Sequence, residues 1–163
     1  MPPKSYLIDS NVLMTAANSY YSFDTVPSFW DWLADVCDNG PVATVTEVRD
    51  EVEYPIALVD WVDERDEDTF FIDVSDPSIQ DNYTELANWV VAQSYGAEYI
   101  GKFLSGADLW LIAAAKKLGA SVVTEEKAAG VGSRKVQIPD VCLAFNLRCV
   151  NTFSLLRELN ATI

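Results

Sequence analysis

The sequence predicts a three-layer α/β/α fold: a central, mostly parallel sheet with helices on both faces, and residues 1–163 as a single domain. Three observations carry this. Short β-branched and aromatic runs alternate with longer segments punctuated as helices, the pattern of strands joined by helical crossovers. The chain has 163 residues, half of them apolar, enough to bury one sizeable core. No repeat, low-complexity tract or linker divides it.

Taken in order, SYLID at 5–9 reads as a first strand, with a helix from Asn11 onward. Pro27 opens a helix through FWDWLADVC, and Gly40 is its stop. PVATV is a second strand, followed by a helix from about Glu47 and another, IALVDWVDER, after Pro55. TFFIDV is β-branched and aromatic and reads as a third strand. Residues 78–104 read as helix, broken near Gly96. ADLWLIAAAKKLG is a strongly apolar helix ending at Gly119, and ASVVT is a fourth strand. The loop KAAGVGSRK leads to a helix at Pro139, then a short strand near CVNTF and a last helix, SLLRELN.

Composition narrows the chemistry. The chain contains no histidine, which excludes a His-based triad and a His-ligated zinc. Acid–base or metal chemistry must then rest on carboxylates, for which hard cations such as Mg²⁺ or Mn²⁺ are the natural partners. Net charge is −14, unevenly spread: residues 1–81 hold 18 acids and 3 bases, residues 82–163 hold 7 and 8. The total opposes nucleic-acid binding, and the near-neutral second half weakens that objection. Three cysteines with no metal-type spacing read as reduced, mostly buried thiols. No apolar run is long enough for a membrane span and MPPKSY lacks a secretory signal, so a cytoplasmic protein is expected.

In a doubly wound sheet, sites form at the carboxyl ends of the strands. Asp9 ends the first strand, and Glu125 and Glu126 follow the fourth. Asp108 begins an apolar helix, Asp140 follows Pro139 in a first helical turn, and Glu47 and Glu51 share a helix face. Each has an ordinary explanation. Asp9 suits an N-cap, Ser105 and Asp108 suit a capping box, and Asp140 suits a helix dipole. Together, four or five carboxylates at one edge would repel one another and raise each other's pKa, and a divalent cation resolves that conflict.

LIDSNVLM, TVTEVRDEV, ADLWLIAAAKKLG and SVVTEE, in that order, resemble the PIN-domain family. Its members are metal-dependent ribonucleases that include the VapC-type toxins of toxin–antitoxin systems. YYSFDTVPSFWDWL and IPDVC resemble a PIN-like branch of that family. The resemblance implies hydrolysis of RNA phosphodiesters with Mg²⁺ or Mn²⁺, an antitoxin partner and a homodimer. It assigns catalytic and metal-holding roles to Asp9, to Glu51 (or else Glu47), to Asp108 and to Glu126, with Ser10 as the small hydroxyl residue beside the first acid. Glu126 stands where the family more often has Asp, and Asp140 is the alternative that completes the metal site. Lys127, Arg134 and Lys135 would meet phosphates, or else form an ordinary exposed loop. The aromatic stretch from Tyr20 to Trp32 would stack bases, or else pack the core or a subunit interface. Asn11, two residues after Asp9, departs from the D-x-D of haloacid-dehalogenase-type phosphatases. A noncatalytic PIN-like binding or regulatory protein is the other class the sequence allows.

Overall fold

The computed structural model describes residues 2–163. Five short strands, β1 (Tyr6–Ile8), β2 (Val42–Val45), β3 (Phe71–Ile72), β4 (Ser121–Val123) and β5 (Cys149–Val150), form one parallel sheet in the order β3-β2-β1-β4-β5. Tyr6 pairs with Val42 on one side and with Ser121 on the other, so β1 is central. The chain leaves β1 in one direction for β2 and returns on its other side for β4. The crevice between the carboxyl ends of β1 and β4 is therefore the topological switch point.

Among the described residues ten helices surround the sheet: α1 (Ser10–Thr15), which runs on as a π-helical turn (Ala16–Tyr20), α2 (Pro27–Asp38), α3 (Thr46–Glu51), α4 (Ile56–Asp63), α5 (Glu67–Phe70), α6 (Pro77–Ala92), α7 (Ala97–Ser105), α8 (Asp108–Leu118), α9 (Ile138–Ala144) and α10 (Thr152–Glu158). Side chains of successive strand residues point to opposite faces, so adjacent residues of β1 feed two cores. Leu7 joins Leu86 and Val90 of α6, Phe103 of α7, Ile112 of α8 and Val141 of α9. Ile8 joins Leu13 of α1, Phe29 and Leu33 of α2, Leu58 of α4 and Leu155 of α10. Each such side chain contributes roughly 1.5–3 kcal/mol on burial.

Helix α8 is buried from Leu109 to Ala115, except at Trp110, and packs along α6. Its three consecutive alanines are fully buried, and Ala114→Leu would cost about 1–3 kcal/mol by overpacking. Gly119 ends α8 in the left-handed conformation, φ +65°. Gly40 stops α2 for another reason: a Cβ there would lie 2.8 Å from Val36 Cα. The Lys4 ammonium donates to the Cys37, Gly40 and Val42 carbonyls and so closes that helix end.

The third strand is shorter than TFFIDV suggests. Asp66 accepts from the Asp68 and Thr69 N–H groups and starts α5, which takes Thr69 and Phe70 before pairing begins at Phe71. Most of the aromatic stretch is packing. Phe29 and Trp30 are buried, and Phe23 stacks on Trp30 at 4.0 Å, while Tyr20 stays 56% exposed. No helix among the described residues is long and apolar enough to cross a membrane.

Candidate metal centre

Asp9 occupies the N-cap position of α1, with extended backbone, yet its side chain caps nothing. Its Oδ2 instead accepts from the Thr124 hydroxyl at 3.0 Å, across from β1 to the end of β4. The cap explanation for this residue is thereby corrected: the carboxylate points into the switch-point crevice. Only 2% of Asp9 is exposed. Burial pushes its pKa from 3.8 up to about 7, helped by the charges of Glu126 and Glu51 and opposed by the Thr124 hydroxyl.

Glu51, the last residue of α3, reaches the same place. Its Oε2 accepts from the Ser10 hydroxyl at 2.7 Å, and its Oε1 from the Ala107 N–H at 2.9 Å. Gly106 allows that approach, since a Cβ there would lie 3.2 Å from Glu51 Oε1. The third acid, Asp108, starts α8, and among the described residues it takes part in no side-chain hydrogen bond. The capping box does not form, because the Ser105 hydroxyl donates to the Lys102 carbonyl. Burial first, then Asp9, Glu126 and Glu51, push Asp108 up to about 8.

Asp9, Glu51 and Asp108 each offer a carboxylate oxygen, and these oxygens lie within 4.8 Å of one another. No ion pair among the described residues neutralises them. An all-oxygen set of anionic donors with two of its members shifted upward by burial and mutual repulsion fits a hard divalent cation. Ser10, Ala107 and Thr124 already orient the donors from behind, which is how outer partners fix ligands at metal sites.

The other candidate residues are placed differently. Glu126 borders the same crevice but lies outside the close trio, and its Oε2 accepts from the Ile138 N–H at 2.8 Å. Burial raises its pKa, against that N–H. Asp140 does not reach the crevice. Its two oxygens accept from the Ala129 and Gly130 N–H groups at 2.8 and 3.1 Å, tying the loop after β4 to α9. Glu47 also stays outside: it lies one turn back on α3, and burial raises its pKa. Glu125 accepts from the Thr152 hydroxyl and so joins β4 to α10.

Of the three basic candidates, Lys135 lines the crevice, with Nζ 5.8 Å from the centre of the Tyr99 ring. Arg134 pairs with Glu98 at 3.5 Å, and Lys127 is exposed outside the crevice. Sequence reasoning missed Tyr99 and Lys102, which stand one turn apart on α7 and line the same wall. Their three-residue spacing was visible, but nothing in it says which face of α7 turns toward Asp9. Also missed were Gly106 and the central place of Thr124, whose hydroxyl donates to Asp9 and accepts from the Glu126 N–H and the Asn11 amide. The resulting cleft measures about 360 Å³, acidic at its floor and cationic along one wall.

A family model described as "Domain of unknown function (DUF4411)" matches residues 6–163. The chain belongs to that family. No curated protein matches it.

Proposed function

We propose that this member of the family is a divalent-metal-dependent endoribonuclease of PIN-like type, the toxin of a toxin–antitoxin pair. The observation that carries the chemistry is the trio Asp9, Glu51 and Asp108, whose oxygens converge within 4.8 Å at the switch point of the sheet. The resemblance in LIDSNVLM and ADLWLIAAAKKLG supports RNA as the substrate and an antitoxin as the partner that would mask the cleft.

Asp9, Glu51 and Asp108 would hold Mg²⁺ or Mn²⁺, which there supplies activation of water and relief of charge on the displaced phosphate oxygen. Thr124 fixes the Asp9 carboxylate, and Ser10 with the Ala107 N–H fixes both oxygens of Glu51. Lys102 and Lys135 suit the flanking phosphates, because neither forms an ion pair among the described residues and both line the cleft. Glu126, with its pKa raised by burial, is suited to accept a proton at the reacting centre. No side-chain nucleophile is needed.

The test is cleavage of RNA by the purified protein in Mn²⁺ or Mg²⁺, with a chelator control and Asp108→Asn alongside. The expected result is metal-dependent cleavage that disappears in the variant. A second reading, a noncatalytic PIN-like binding protein, is favoured by one observation: Glu126 and Asp140 are both engaged with backbone N–H groups, leaving three acids in the close set. Metal binding with no cleavage of any RNA offered would support that reading instead.

A further inference from the structure

Helices α2 and α4 belong to the core on the sheet face opposite α6 and α8, and they meet through Trp30 and Trp61, whose ring centres lie 5.2 Å apart. Between them runs a groove of about 350 Å³, lined by Phe23, Trp30 and Asp31 on one side and by Asp60, Trp61 and Glu64 on the other. Its floor is aromatic: Phe23 stacks on Trp30 at 4.0 Å, and Trp61 stands edge-on to the same indole. Both indole N–H groups are already engaged, Trp30 donating to the Tyr21 carbonyl and Trp61 to the Trp30 carbonyl. The floor therefore offers an occupant ring surface and no donor. The rim is exposed and acidic, with Asp60 and Glu64 one turn apart at the end of α4. Neither Asp31 nor Asp60 forms an ion pair among the described residues.

The surroundings add to that charge. Residues 1–81 hold 18 acids and 3 bases, and each base is occupied within the fold. Lys4 donates to three carbonyls, Arg49 pairs with Glu67, and Arg65 pairs with Asp38 at 2.7 Å. Arg65 also displays the chemistry that these side chains support: its guanidinium lies 4.6 Å over the Trp61 ring, with Glu64 3.9 Å away. We propose that the groove between α2 and α4 binds an arginine side chain presented by a basic segment of a partner protein. A guanidinium lays its plane on ring surface while its N–H groups reach carboxylates, and the groove supplies both. The lysine ammonium, a strongly hydrated point charge, uses the rings less well. A polyanion would meet only carboxylates and be repelled. The groove shares no residue with the cleft that holds the acidic trio, so its occupancy is independent of metal and RNA.

The experiment titrates a blocked oligo-arginine peptide, and an oligo-lysine peptide of equal length, into the full chain at physiological salt. Heat is followed by calorimetry and the indole N–H resonances by nuclear magnetic resonance. The arginine peptide should bind several-fold more tightly than the lysine peptide. The Trp30 and Trp61 resonances should shift, while those of Trp89 and Trp110, which pack on the opposite sheet face, stay in place. Asp31→Asn with Asp60→Asn should weaken binding about 10-fold. Glu53→Gln with Asp81→Asn removes the same charge from exposed positions outside the groove and should weaken binding by less than about 2-fold. All four positions are exposed, so the far-ultraviolet spectra should match that of the unaltered protein. Absence of binding, equal affinity for the two peptides, or equal weakening by the two pairs of substitutions would overturn the proposal, the last by reducing the effect to the general field of an acidic chain.

Discussion

Replacing Asp108 by Asn should make the metal-free protein more stable at alkaline pH, even though it removes an acid from a helix N-terminus. In the unfolded chain this carboxyl loses its proton near 3.8, and in the folded chain burial and its acidic neighbours hold the proton until about 8. The folded state therefore binds more protons between those values. Stability is unaffected below pH 3.8, falls as pH rises through the window, and levels off above 8. At about 1.4 kcal/mol for each tenfold change, the full effect is on the order of 6 kcal/mol. Solvent on the open side of the half-buried side chain screens it, reducing the expected gain to about 2–3 kcal/mol. Against that stands the lost interaction with the α8 dipole, about 0.3–1 kcal/mol. Repulsion wins. Asp108 takes part in no side-chain hydrogen bond among the described residues, so the amide breaks none. The assay is urea unfolding with EDTA present: a gain of about 2 kcal/mol at pH 8 should shrink to about 1 or less at pH 5. A variant less stable than the unaltered protein by more than about 1 kcal/mol at pH 8 would refute the reasoning and make Asp108 a helix-capping residue.

Ser10→Ala removes the hydroxyl that holds Glu51 Oε2 at 2.7 Å, and should weaken Mn²⁺ binding about 10–100-fold by calorimetry while the far-ultraviolet spectrum stays unchanged. Asp140→Asn loosens the 129–130 loop and should speed its limited proteolysis several-fold, yet leave Mn²⁺ affinity as it was; a parallel loss of affinity would make Asp140 a ligand. Lys102→Ala with Lys135→Ala should raise KM for RNA and flatten the salt dependence of binding by about 2 charges, with kcat changed far less. Equal losses in kcat would move those lysines into the chemistry.

The layer order and the site's address were legible because they rest on short-range signals. Apolar runs with β-branched residues gave β1, β2 and β4, and the alanine-rich stretch from Asp108 to Gly119 could only be a buried helix. Once strands alternate with helices, the carboxyl edge follows, and with it Asp9, whereas Glu51 (with Glu47 as the alternative) and the role of Asp108 came from the resemblance. What was not legible depends on tertiary contact. The Asp66 cap drew Thr69 and Phe70 out of the third strand, a local bond stronger than their β propensity. Asp140 has the sequence position of an acid at a helix start, but its partners are two loop N–H groups that no periodicity announces. Lys102 and Tyr99 become part of the cleft through the way α7 packs before Gly106, and Gly106 itself is explained by the Glu51 carboxylate beside it.

The most direct test of the account is a calorimetric titration of Mn²⁺ into the purified protein at pH 8, repeated with Asp9→Asn and Glu51→Gln. The unaltered protein should give saturable heat that each variant abolishes, with both variants still folded. No heat for the unaltered protein, or heat that survives both substitutions, would contradict a metal centre built from Asp9, Glu51 and Asp108.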